Sequence, residues 1–190
     1  LMYIIAVGIA LLFNLFYPSE SKNDLDKYRN NLDSTIKEHL IYLKTKIESQ
    51  EITCDFSNEL EKKIEDILDN IDQITGDMIM KNHQDILRYS VMRNKQFDIL
   101  KNICLQSDKL HSIYPQTNIV VTYLESLSNN IGTNDYATSK LEEIDLLLEG
   151  FKEEKLPISR DEFEHRAILY YIILEIRQFL LLKINYHNKK

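Results

Sequence analysis

The chain opens with an uncharged apolar run, LMYIIAVGIALLFNLFY, and turns polar at Pro18 and Ser19. Its ten Leu, Ile, Val and Phe residues favour bilayer insertion by roughly 3 to 6 kcal/mol, more than the single Asn14 costs. The run is short for a spanning helix, and it lacks the basic flank and small-residue cleavage site of a signal peptide. The pattern predicts a transmembrane helix over 1–18, with Tyr17 as an interfacial anchor and a buried core helix as the competing reading. Because the first residue is Leu and not Met, more of the membrane region is expected upstream.

After this run the hydrophobic period becomes that of amphipathic helices. Leu25, Tyr28, Leu32, Ile36, Leu40, Leu43 and Ile47 recur in steps of three and four, which puts them on one face of a long helix over 22–49. Following a turn at 51–56, Leu60, Ile64, Ile67, Leu68, Ile71 and Ile74 mark a second helix stopped near Gly76. A third, over 77–107, carries Ile79, Ile86, Leu100 and Ile103 on a seven-residue rhythm that Arg93 interrupts. Pro115 precedes a shorter helix, 119–130, with Thr117 or Asn118 as its cap and Gly132 as its stop. Leu141, Ile144, Leu148 and Phe151 define another over 138–154. Ser159 and Glu162 then form an S-x-x-E capping box before the most apolar soluble helix. Its residues 167–182 are apolar on nearly every side, so it belongs at the centre of the bundle. The expected fold is all-α: an antiparallel bundle of about five to six helices over 19–190, preceded by the hydrophobic helix.

Four Gly and three Pro in 190 residues suit long helices and not a β-sandwich. A net charge of −7 with interspersed signs gives no basic stripe and argues against nucleic acid. Lys22, Lys27, Arg29, Lys37, Lys44 and Lys46 follow the apolar run closely, which reads as the cytoplasmic side of a plasma membrane. Cys54 and Cys104 lie far apart without metal spacing, so reduced thiols are the expectation.

Candidate chemistry is sparse. Glu162 and His165 have the E-x-x-H spacing of di-iron bundles, but no second copy exists, so cap and ordinary polar residue are the plain readings. Glu65, Asp66, Asp69 and Asp72 read as a solvated acidic face. The common nucleotide-binding and hydrolase motifs are missing, so neither an enzyme nor a cofactor is expected. Arg93 is the residue that stands out, because a guanidinium on an apolar seam must be paired. Glu175, seven residues from both Ile168 and Leu182, is the expected partner in a buried ion pair. In the functional reading Arg93 joins Arg88 and Tyr89 around a small organic anion.

Several stretches together resemble a known family. They are AVGIALLFNLFYP followed by a Lys/Asp-rich helix, MRNKQFDIL at 92–100, IYPQ at 113–116 and LPISRDEFEHRA at 156–167. In this order and spacing the chain resembles the C-terminal domain of the putative aromatic acid exporters of Gram-positive bacteria. The resemblance implies a polytopic region upstream, a cytoplasmic domain over 19–190, and export of small aromatic carboxylates. It transfers no binding residue. The expected role is regulation, assembly or gating, with membrane lipid around 1–17 and homo-oligomers through the apolar seam of the first long helix, unless that seam is satisfied inside the bundle. A membrane-anchored scaffold that binds a protein partner and moves no solute is the alternative.

Overall fold

The computed structural model describes residues 18–50, 53–54, 65, 69, 80–132 and 136–188. Among these described residues run five long helices: α1 (Pro18–Ser49), α2 (Met80–Ser107), α3 (Pro115–Asn130), α4 (Tyr136–Glu153) and α5 (Arg160–Asn188). No strand occurs among the described residues, and the fold is the all-α bundle expected. The apolar run over 1–17 and most of the helix expected over 60–74 lie outside the described residues; Glu65 and Asp69 are helical and exposed. None of the described helices is long and apolar enough to cross a membrane.

The stripe on α1 explains the packing. Leu32, Ile36, Leu40, Leu43 and Ile47 are all sealed from solvent, each contributing about 1.5 to 3 kcal/mol by burial. They pack against α2 and α3. The α1 seam is therefore consumed inside the bundle, the alternative left open beside oligomerisation. α2, α5 and α3 complete a four-helix ring with α1, and α4 packs on the outer side of α5. As its composition requires, α5 meets three of the other four helices, and Leu169, Ile172, Ile176, Phe179 and Leu180 are fully buried.

Side-chain contacts fix the helix directions. Arg29 meets Asp85 and Lys46 meets Asp108, so α1 and α2 run parallel. Asn102 meets Tyr171 and Asp85 meets Tyr186, so α2 and α5 are antiparallel. One end of the bundle thus gathers the starts of α1 and α2 and the finish of α5; we call it the entry end. The opposite end carries the α2–α3 and α4–α5 turns.

Two details depart from the sequence reading. α3 begins at Pro115, whose fixed φ suits the first helical position, and Thr117 sits inside the first turn, its hydroxyl accepting the Tyr114 N–H at 3.2 Å. Cys54 and Cys104 are joined as a disulfide with Cα atoms 5.6 Å apart, not left as thiols. Fifty residues of separation hide that proximity. It arises because the parallel α1 and α2 finish side by side, where Asp108 accepts both the Cys54 N–H (3.0 Å) and the Lys46 ammonium (2.5 Å).

Candidate functional site

At the entry end a polar network is set into the apolar bundle. Arg93 lies on the buried column of α2 between Ile86 and Leu100, as its rhythm predicts, and is 1 % exposed. A guanidinium so far from water requires a carboxylate and further acceptors. Asp33 of α1 supplies the carboxylate, 2.5 Å from Nη2. The Tyr89 hydroxyl, one turn before Arg93, accepts from Nε and Nη2 at 3.2 and 3.0 Å and donates its own proton to Asp33. Nη1 donates to Gln96 at 2.6 Å, and the Gln96 amide donates on to the Phe179 carbonyl of α5 at 2.8 Å. One chain of hydrogen bonds thus crosses α1, α2 and α5.

A second chain repeats the pattern one layer closer to the entry. Arg29 of α1 pairs with Asp85 of α2 at 2.7 Å, and Asp85 accepts the Tyr186 hydroxyl of α5 at 2.9 Å. Between the layers the Lys183 ammonium lies 4.9 Å from the Tyr89 ring centre and 5.6 Å from that of Tyr186. Cation–π attraction is strongest where water is excluded, and Lys183 is buried. Arg88 stands exposed at the rim with its guanidinium 5.9 Å from the Tyr186 ring.

The network's chemistry is that of a clamp. Burial, followed by the neighbouring Asp33, raises the Tyr89 phenol well above its usual range against the opposing pull of Arg93. Burial and then the hydrogen bond to Asp85 push Tyr186 up to about 12. Both phenols therefore remain protonated donors at ordinary pH and cannot serve as general bases there. The apolar core divides at this level. Leu32, Ile86, Tyr89, Met92 and Tyr186 form a small cluster apart from the main one that begins at Ile36 and Phe97.

Of the residues expected from sequence, Tyr89 and Arg93 come together, while Arg88 remains at the solvent edge. Arg93 and Glu175 do not meet: Arg93 takes Asp33 instead. Two causes are visible. The column Ile168, Glu175, Leu182 is the half-buried border of α5 and not its core face. In the antiparallel register Gln96 is level with Phe179, which puts Glu175 about a turn or more away from Arg93. Asp33, Arg29, Asp85 and Tyr186 were missed. Their signal was an Asp85, Tyr89, Arg93 series at i, i+4, i+8 on one face of α2, opposite Arg29 and Asp33 at i, i+4 on α1.

The E-x-x-H pair lies at the opposite end. Ser159 caps α5 by accepting the Glu162 N–H at 3.0 Å, while Glu162 accepts the Ile158 N–H at 2.9 Å and pairs with Arg166 at 2.6 Å. His165 is buried against the Thr117 hydroxyl, with Nε2 at 2.8 Å. Among the described residues no cluster of three His, Cys, Asp or Glu is placed to hold a metal.

Comparison with known proteins agrees with this architecture. The chain is 26 % identical over 188 residues to YqjA of Bacillus subtilis strain 168, covering 94 % of the chain but only 56 % of that protein. The chain therefore spans little more than half the length of this relative. Its fold resembles the crystal structure of a "putative membrane protein from Clostridium difficile 630", with a TM-score of 0.78, 22 % identity, and coverage of 87 % of this chain and 98 % of that one. A family model described as "Putative aromatic acid exporter C-terminal domain" matches residues 22–184, and the chain belongs to that family.

Proposed function

We propose that this chain is the non-catalytic, cytoplasmic C-terminal domain of a plasma-membrane exporter of small aromatic carboxylates. In this reading residues 1–17 enter the bilayer among lipid, residues 19–190 lie on the cytoplasmic side, and the bundle regulates or gates a path formed by membrane segments. The observation that carries it is α1. It is one 32-residue helix that follows directly on the apolar run, and Asp33–Arg93 and Arg29–Asp85–Tyr186 lock it to α2 and α5. A helix so fixed moves the bundle whenever its membrane end moves. Arg93 and Tyr89 act as that lock, and a carboxylate ligand reaches Arg93 only by displacing Asp33.

The test is efflux of a radiolabelled aromatic carboxylate from cells that carry the full-length exporter, native or as Arg93→Met. Loss of efflux at unchanged protein level supports coupling through the clamp. Undiminished efflux overturns it. Thermal unfolding of the chain with millimolar aromatic carboxylates separates a sensor from a purely mechanical coupler, since a ligand bound only by the folded state raises its stability.

A further inference from the structure

We propose that copies of this chain associate head to tail, the exposed face of α2 on one copy docking against the α3–α4 face of the next. The two faces are opposite in charge. Among their exposed charges α2 presents Arg88 and Lys95 against Asp98, whereas α4 presents Glu142, Glu143, Glu149 and Glu153 against Lys152, in a chain whose net charge is −7. On α2 the exposed stripe consists of Leu87, Val91, Lys95 and Asp98 at steps of four, four and three, with Arg88 beside Leu87 and Leu105 two turns beyond Asp98. Val91 is 46 % and Leu105 53 % exposed, although both lie on a helix whose other face is core. On α4, Leu146 is 73 % exposed and flanked by Glu142, Glu143 and Glu149.

Leu146 forms the ridge between two open clefts. One, of about 550 Å³, runs between α3 and α4 and is lined by Ile119, Tyr123, Leu146 and Leu147. The other, of about 670 Å³, lies between α4 and α5 and is lined by Tyr170 with Glu142, Glu149 and Lys152. With Arg88, Lys95 and Asp98 level with Glu142, Glu149 and Lys152, which share this spacing, Val91 falls beside Leu146 as a knob at the mouth of the first cleft.

Position in the fold sets the type of assembly. α5 lies between α2 and α4 and packs against both, so the two faces point away from one another on opposite flanks. A contact between two different patches on opposite flanks is heterologous and propagates head to tail, unlike a two-fold dimer that pairs one patch with itself. None of this rests on the transport reading.

Sedimentation velocity of the full chain in detergent micelles tests the proposal, with unchanged helical circular dichroism as the control for folding. Lys95→Glu and Glu149→Lys each weaken association by about tenfold, and the double exchange restores it, since the reversed charges again meet across the contact. Mixing a Val91→Cys chain with a Leu146→Cys chain yields a cross-linked heteropair. The proposal is overturned if the chain is monomeric throughout, or if assembly through the apolar run persists unchanged in both single reversals. Cross-linking of Val91→Cys chains to one another, in place of the heteropair, also overturns it.

Discussion

Asp33 on α1 and Arg93 on α2 face each other across 2.5 Å, with the arginine side chain 1 % and the aspartate 16 % exposed. Because the carboxylate keeps some water and the guanidinium almost none, losing Asp33 is the more damaging change. Asp33→Ala should cost about 3 to 5 kcal/mol, since a buried cation loses its carboxylate and keeps neutral acceptors such as Tyr89 and Gln96. Arg93→Met should cost less, and the double substitution should recover much of the loss. Denaturant midpoints in a double-mutant cycle check this. Additive losses within about 0.5 kcal/mol would show that the two residues do not depend on each other.

The sequence made the helices and the buried face of α1 legible because period and burial are both local properties of a helix. It also made Arg93 legible, since one cation on an otherwise apolar column has no other explanation. Its partner was not, because pairing depends on register. A heptad count gives a face but no height, and it takes no account of whether neighbouring helices run parallel. α5 is so apolar that a column can be drawn on any side, and the chosen one, through Glu175, proved to be its border. The disulfide was hidden for the same reason: no local spacing records that α1 and α2 finish together.

Gly132 tests how tightly the α3–α4 turn is held beside the clamp. Its φ is +87°, in the region L side chains rarely adopt, and a Cβ there would lie 3.6 Å from the Asp33 carboxylate, an ordinary contact. The cost of Gly132→Ala is therefore backbone strain and not a clash, about 1 kcal/mol. A melting temperature equal to the native one would show that the turn relaxes without penalty.

The Cys54–Cys104 disulfide closes a loop with a sequence separation of 50, for which chain entropy alone gives about 4 kcal/mol of stabilisation. Reduction with a thiol, or the double substitution to Ser, should lower stability by about 2 to 4 kcal/mol. The Asp108 contacts to the Cys54 N–H and to Lys46 remain in the reduced chain, so the bundle should still fold. Unfolding midpoints with and without reductant, read alongside thiol counting by alkylation and mass, decide the matter. Equal midpoints for the fully oxidised and fully reduced chains would contradict it.

His165 sets a pH dependence whose sign follows from its surroundings. Nε2 contacts the Thr117 hydroxyl, Nδ1 is buried without a hydrogen-bond partner, and the Tyr114 ring packs 4.9 Å away edge-on. Burial lowers its pKa below the usual histidine value, and Asp161, one turn earlier on α5, only partly opposes this. The unfolded chain therefore takes up a proton near pH 6.5 while the folded chain still refuses it. Stability from this residue is fully present above about pH 6.5 and is lost as the pH falls through the lower folded value. His165→Gln keeps a partner for Thr117 but cannot titrate, so its melting temperature should fall less than the native one between pH 7 and pH 5. Parallel curves for the two proteins over that interval would remove His165 as the cause and shift attention to the carboxylates that titrate just below it.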